Sequence, residues 1–185
     1  MKVEVCVTSI ASARIAEAAG ADRLELCAEL AVGGATPSPR LLQGVREAVQ
    51  IPVHVLIRPR SGDFVYSPET FAQMLGDIEY CRKLGYEGVA TGCLLEDGNL
   101  DKERMRMLAE AARGCHLTFH RAFDRIGDWE SALAELAGLG VHTILTSGQA
   151  PTALEGLNLL ERLAGKTPCG IMPGGGIRPE NVASF

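Results

Sequence analysis

The stretch His116-Leu117-Thr118-Phe119-His120-Arg121-Ala122-Phe123-Asp124 decides the fold. Leu117, Phe119 and the aliphatic stem of Arg121 alternate with Thr118 and His120, so residues 117–121 read as a short strand. A loop carrying Asp124 and Arg125 follows, and a helix is expected to start near Asp128. At one end of a parallel sheet, this segment delivers an imidazole, a carboxylate and two guanidinium groups to a single rim.

Strand-then-helix units recur on both sides of it. Further strands are expected at Val3–Val7, Arg23–Cys27, Val53–Arg58, Gly88–Thr91, His142–Thr146 and Gly170–Met172. The helices between them run from a Ser9 cap to about Ala19, then to about Val49, then from Pro68 to about Leu84. The later ones are Asp101–Arg113, Asp128–Leu139 and Pro151–Leu163. Pro68 suits a first helical turn, where its missing N–H costs nothing. Such α/β alternation implies a mainly parallel sheet, and a TIM-type (β/α) barrel is the best match. That barrel has eight strands and typically about 250 residues, whereas this chain has 185. The reading is therefore one domain over residues 1–185, a C-terminally truncated barrel with seven of its eight strands present. Truncation is favoured over a gap covered by another subunit, because an open parallel edge exposes unpaired backbone groups. The structural alternative is a doubly wound sheet, but no GxGxxG follows the first strand.

Apolar residues form 46% of the chain and charged residues 22%, as in an ordinary globular protein. The formal charge of −5, with no basic run or zinc-finger spacing, argues against nucleic acid as a partner. No run approaches membrane-spanning length and the start lacks a signal-peptide core, so no membrane partner is expected. Six cysteines without a CxxC pair point to free thiols in the cytoplasm rather than a disulfide framework.

Chemistry in a barrel collects on inward side chains at the C-terminal strand ends. The first two strands repeat Glu-x-Cys, as Glu4/Cys6 and Glu25/Cys27, which puts two carboxylates and two thiols on one face. Buried carboxylates need partners, and Arg58 and Arg121 are the candidate counter-charges. One reading is a salt-bridged barrel floor. The other makes Glu25 an acid or base working with His120 and Asp124 at a catalytic mouth. Two thiols at matching heights on adjacent strands would suit one Cu(I) ion, while the plainer reading of Cys6 and Cys27 is packing. Glu4, Arg58 and Arg60 are candidates for holding an anion, although Arg60 could equally pair with Asp63. Arg121, Ser147 and Gly174, Gly175 and Gly176 add a second candidate anion cradle, because glycine loops let N–H groups converge. His116 and His142 read as structural, Trp129 as packing its helix on the sheet, and Met105 and Met107 as core.

The stretches EVCVTS, GADRLELCAELAVGGATPS, IPVHVLIRPRSGDFVYS, LTFHRAFDR, ILTSGQA, ALEGL and IMPGGGIRPENV resemble the CutC copper homeostasis family over essentially the whole chain. The resemblance implies a cytoplasmic (β/α) barrel that assembles as a homo-oligomer, and an eighth strand beyond PGGGIRPENV. It also implies Cu(I) as the ligand, held by Cys6 and Cys27. Thr8 stands where the family typically has Asp. The alternative is a barrel enzyme acting on a small anionic metabolite by Glu/His acid–base chemistry.

Overall fold

The computed structural model describes residues 2–185. Seven four-residue strands alternate with six helices. They are β1 (Glu4–Val7), α1 (Ile10–Ala18), β2 (Arg23–Leu26), α2 (Pro39–Ala48), β3 (Val53–Leu56), α3 (Pro68–Lys83) and β4 (Gly88–Thr91). Then come α4 (Lys102–Ala111), β5 (His116–Phe119), α5 (Trp129–Gly138), β6 (Thr143–Thr146), α6 (Leu157–Leu163) and β7 (Gly170–Pro173). The chain divides into two compact units, one running to Thr91 and including Glu110–His116, the other formed by Gly92–Ala109 and Leu117–Phe185.

In the first unit β1, β2, β3 and β4 pair in chain order, all parallel. Its helices start where the sequence places caps. Ser9 accepts from Ser12 N and forms a reciprocal box with the Ser12 side chain, while Ser38 and Ser67 cap helices opening on Pro39 and Pro68. Every residue of β3 and β4 is buried, as expected of parallel strands covered on both faces. Gly88 is fixed by contact: a Cβ there would stand 2.4 Å from the His54 ring carbon, so only glycine lets that imidazole lie inside the sheet.

In the second unit β5, β6 and β7 pair parallel in chain order. Asp128 caps α5 through Ser131 N, as the sequence suggests. Two expectations need correcting. The central strand ends at Phe119, because His120 Nδ1 accepts from Ala122 N and so caps a 3-10 turn over Arg121–Arg125. The last helix starts at Leu157 rather than Pro151. Residues 151–156 instead dock onto neighbouring loops: Ala153 N donates to Gly175 O, and Gly156 lies against the Ser147 carbonyl.

Three packing expectations meet mixed outcomes. The ring of His116 lies 4.7 Å from that of His54, and His142 Nδ1 accepts from Leu117 N, which makes both histidines structural. Met105 is fully buried but Met107 is half exposed. Trp129, only partly buried, lies under the cations of Arg162 and Lys166, 5.0 and 5.3 Å from its ring centroid.

Candidate functional site

The first unit carries an ionisable stripe across β1, β2 and β3. Strand alternation puts Glu4 and Cys6 on one face of β1 and Arg23 and Glu25 on the matching face of β2, with Cys27 just past the end of β2, where its N–H donates to Val7 O. Pairing sets Glu4 beside Arg23, Cys6 beside Glu25, and Glu25 beside His54. Two expectations change as a result. The counter-charge of Glu4 is Arg23, through an ion pair to its Nε, with His54 Nδ1 3.9 Å from the same oxygen. The thiols are staggered rather than level, since Cys27 lies two residues beyond the partner of Cys6. Strand spacing and rise put the two cysteine Cα atoms roughly 8 Å apart.

Cys6 Sγ donates to Glu25 Oε2 at 3.2 Å. The other oxygen, Oε1, is buried and has no hydrogen-bond partner among the described residues. Burial first, and the Glu4 carboxylate second, push the Glu25 carboxyl up to about 7, against the pull of the Cys6 hydrogen bond and Arg23. The Cys6 thiol is pushed up by desolvation first and by Glu25 second, although the residue as a whole is exposed. Cys27 is pushed up to about 11 by burial and then by Glu25, and it packs against Leu56 and Ala90.

The shifted carboxyl has a stability consequence. A carboxyl at about 7 when folded and near 4.5 when unfolded binds more protons in the folded state between those values. Its stabilising contribution is full below pH 4.5 and is lost as pH rises through 7. Relative to Glu25→Gln, the wild type is expected to lose about 3 kcal/mol of unfolding free energy between pH 4.5 and 8. Urea unfolding of both proteins across that range checks this, and a pH-independent difference would contradict it.

The two arginines expected to clamp an anion are turned onto their own loops. Arg58, 6% exposed, donates to the carbonyls of Val32, Gly34 and Gly62 and lies 5.0 Å from the Phe64 ring centre. It staples the loops after β2 and β3 and does not reach Glu4 or Glu25 as a counter-charge. Arg60 pairs with Asp63 and donates to the Val65 and Ser61 carbonyls, the plainer of its two readings.

In the second unit, Asp124 accepts from Arg121 Nε (2.8 Å), Thr146 Oγ1 (2.5 Å), Ser147 N (3.0 Å) and Gln149 N (3.2 Å). The N–H groups after β6 therefore do converge on an anion, and that anion is the chain's own carboxylate. Gln149, in the left-handed region at φ 58°, is held further by its amide donating to the Phe123 and Ile126 carbonyls. Asp124, the expected catalytic partner of Glu25 and His120, thus ties the β5 turn to the β6 loop with both of its oxygens accepting hydrogen bonds. Ser147, fully buried, accepts from Arg121 Nη2 and donates to the Ala150 carbonyl. Gly174 N pairs with Thr146 O. His120, 3% exposed, is the cap described above, its ring against Gly92.

Arg23 was not expected at this site. Arg23 was findable, because its even spacing from Glu25 puts it on the same face.

The sequence pattern of the CutC family matches residues 1–185. The chain belongs to the CutC family. A CutC family protein of Klebsiella pneumoniae subsp. pneumoniae is 49% identical over 185 residues, covering 99% of this chain and 74% of that protein. The human protein named copper homeostasis protein cutC homolog is 48% identical over 182 residues, or 97% of this chain and 67% of its own length. A crystal structure of a CutC copper homeostasis protein from Streptococcus agalactiae superposes with a TM-score of 0.94 at 31% identity, covering all of this chain and 92% of that one. The fold is accordingly that of the (β/α) barrel class, represented here by seven strands and six helices. Phosphonopyruvate hydrolase, at 13% identity and a TM-score of 0.68, shares the fold alone. Among the described residues no helix is long and apolar enough to cross a membrane.

Proposed function

We propose that this CutC chain binds Cu(I) as cargo, through the sulfurs of Cys6 and Cys27, with Glu25 taking the proton that Cys6 gives up. The observation that carries the reading is the Cys6–Glu25 hydrogen bond, with Cys27 two residues beyond Glu25, just past the end of β2. No cluster of three His, Cys, Asp or Glu suited to a metal occurs among the described residues. A pair of thiolates suits a soft monovalent ion, whereas a closed zinc site takes four ligands. The copper homeostasis name carried by the human relative supports the same ion.

Both thiols are held protonated by burial and by neighbouring carboxylates. Metal binding must therefore remove two protons. Cys6 passes its proton to Glu25 Oε2 as the sulfur–metal bond forms, and the Cys27 proton leaves to the buffer. The product holds two thiolates, one metal ion and a neutral Glu25, so the site carries a single net negative charge. Anaerobic titration against a chromophoric Cu(I) chelator tests the proposal. One Cu(I) per chain is expected, and failure to compete with the chelator would overturn it.

A second reading is an enzyme acting on a small anionic metabolite, and one feature favours it. A buried carboxyl near 7 with a free oxygen is suited to general acid–base work at neutral pH. In that reading Glu25 carries the proton, and Asp124 is a structural tether.

A further inference from the structure

We infer that Arg121 and the Gly175-Gly176 backbone form a binding site for a phosphoryl group, independent of the thiol face. Arg121 is presented as a rigid donor. Its Nε is held by Asp124 and its Nη2 by the Ser147 hydroxyl, at 2.8 and 3.0 Å. Those anchors are themselves fixed by Thr146, Gln149 and Ala150. The orientational entropy that a long side chain normally loses on binding is therefore already removed. The remaining nitrogen, Nη1, lies over Gly175: a Cβ on that residue would stand 3.1 Å from it. Gly175 has φ 103° and Gly176 φ 72°, backbone that other residues rarely take.

The glycine carbonyls are engaged elsewhere. Gly175 O accepts from Ala153 N and Gly176 O from Asn181 Nδ2. Their N–H groups have no hydrogen-bond partner among the described residues. Two unpaired backbone N–H groups thus belong to the same loop after β7 against which the Arg121 guanidinium lies. The Arg121–Asp124 pair is formally neutral, so an anion is drawn by the fixed donors rather than by a net positive charge. Arg121 stays 44% exposed, so a ligand reaches it from solvent. An exposed guanidinium with two unpaired backbone N–H groups in the adjoining loop suits the several oxygens of a phosphate or phosphomonoester better than the two of a planar carboxylate. Of the residues expected to bind an anion, Arg121, Gly175 and Gly176 form this site, while Ser147 supports the arginine and Gly174 pairs with β6.

The test is an NMR titration of the chain with inorganic phosphate and, separately, glycerol 3-phosphate, with acetate as control. Saturable shifts of the Gly175 and Gly176 amides are expected with both phosphoryl probes. Tighter binding of glycerol 3-phosphate would identify a phosphomonoester as the natural ligand, and equal binding free phosphate. Arg121→Gln is expected to weaken binding by about tenfold or more, while Arg113→Gln, at an exposed pair with Glu110, leaves it unchanged. Gly175 and Gly176 amides that do not move at saturating phosphate would overturn the site. So would equal affinity in Arg121→Gln, or binding of acetate in place of phosphate. The amide readout uses the wild-type chain and stands whether or not the variant folds.

Discussion

A Cys6→Ser, Cys27→Ser double variant is expected to lose Cu(I) affinity by more than about 100-fold while keeping its fold. The lower bound follows from metal sites in general, where removing an outer-shell partner already costs 10- to 100-fold; here both soft donors go. Serine keeps a similar size and a polar hydrogen. At position 6 its hydroxyl still donates to Glu25, so the buried carboxyl is not orphaned. At position 27 the cost is a hydroxyl beside Leu56 and Ala90, of order 1–2 kcal/mol. Competition titration gives the affinity, and circular dichroism with urea unfolding gives the fold. Cu(I) bound at wild-type affinity by the double variant would remove both cysteines from the account.

Asp124→Ala is expected to lower unfolding free energy by about 4 kcal/mol, the largest stability loss foreseen for a polar residue of this chain. Most of the loss does not come from Arg121, whose side chain is 44% exposed, because half-exposed ion pairs are weak. It comes from the Thr146 hydroxyl and the Ser147 N–H, both on buried residues, which would be left without an acceptor, whereas the exposed Gln149 N–H can turn to water. Each orphaned donor costs about 1–3 kcal/mol. Asp124→Asn keeps one acceptor oxygen and should lose about half as much. Urea midpoints of the three proteins check the order, and a loss below about 1 kcal/mol in Asp124→Ala would contradict the tether.

The elements of this fold were legible because their ends carry local chemistry. Ser9, Ser67 with Pro68, and Asp128 start helices where capping oxygens and a fixed proline φ demand it. The end of β5 was not legible, since His120 looks like the next strand residue until its imidazole is seen capping Ala122. Residues 151–156 have helical composition but are held by tertiary contacts to Gly175 and Ser147, which no local pattern announces. Strand alternation told which face each side chain takes. It could not tell height, which depends on how β1 and β2 slide against each other. That is why the thiols looked level and Cys6 turned out to face Glu25. The same gap hid the true partners of charged groups. Arg58 and Arg60 look like clamps in isolation, and only the folded loops show the carbonyls and carboxylate they already hold.

Proton release on Cu(I) loading tests the central claim most directly. At pH 8 Glu25 is mostly ionised before binding and accepts one of the two thiol protons. Wild type should therefore release about one proton per Cu(I), and Glu25→Gln about two. Calorimetry in buffers of different ionisation enthalpy counts them. Equal proton release from the two proteins would show that Glu25 is not the acceptor for Cys6.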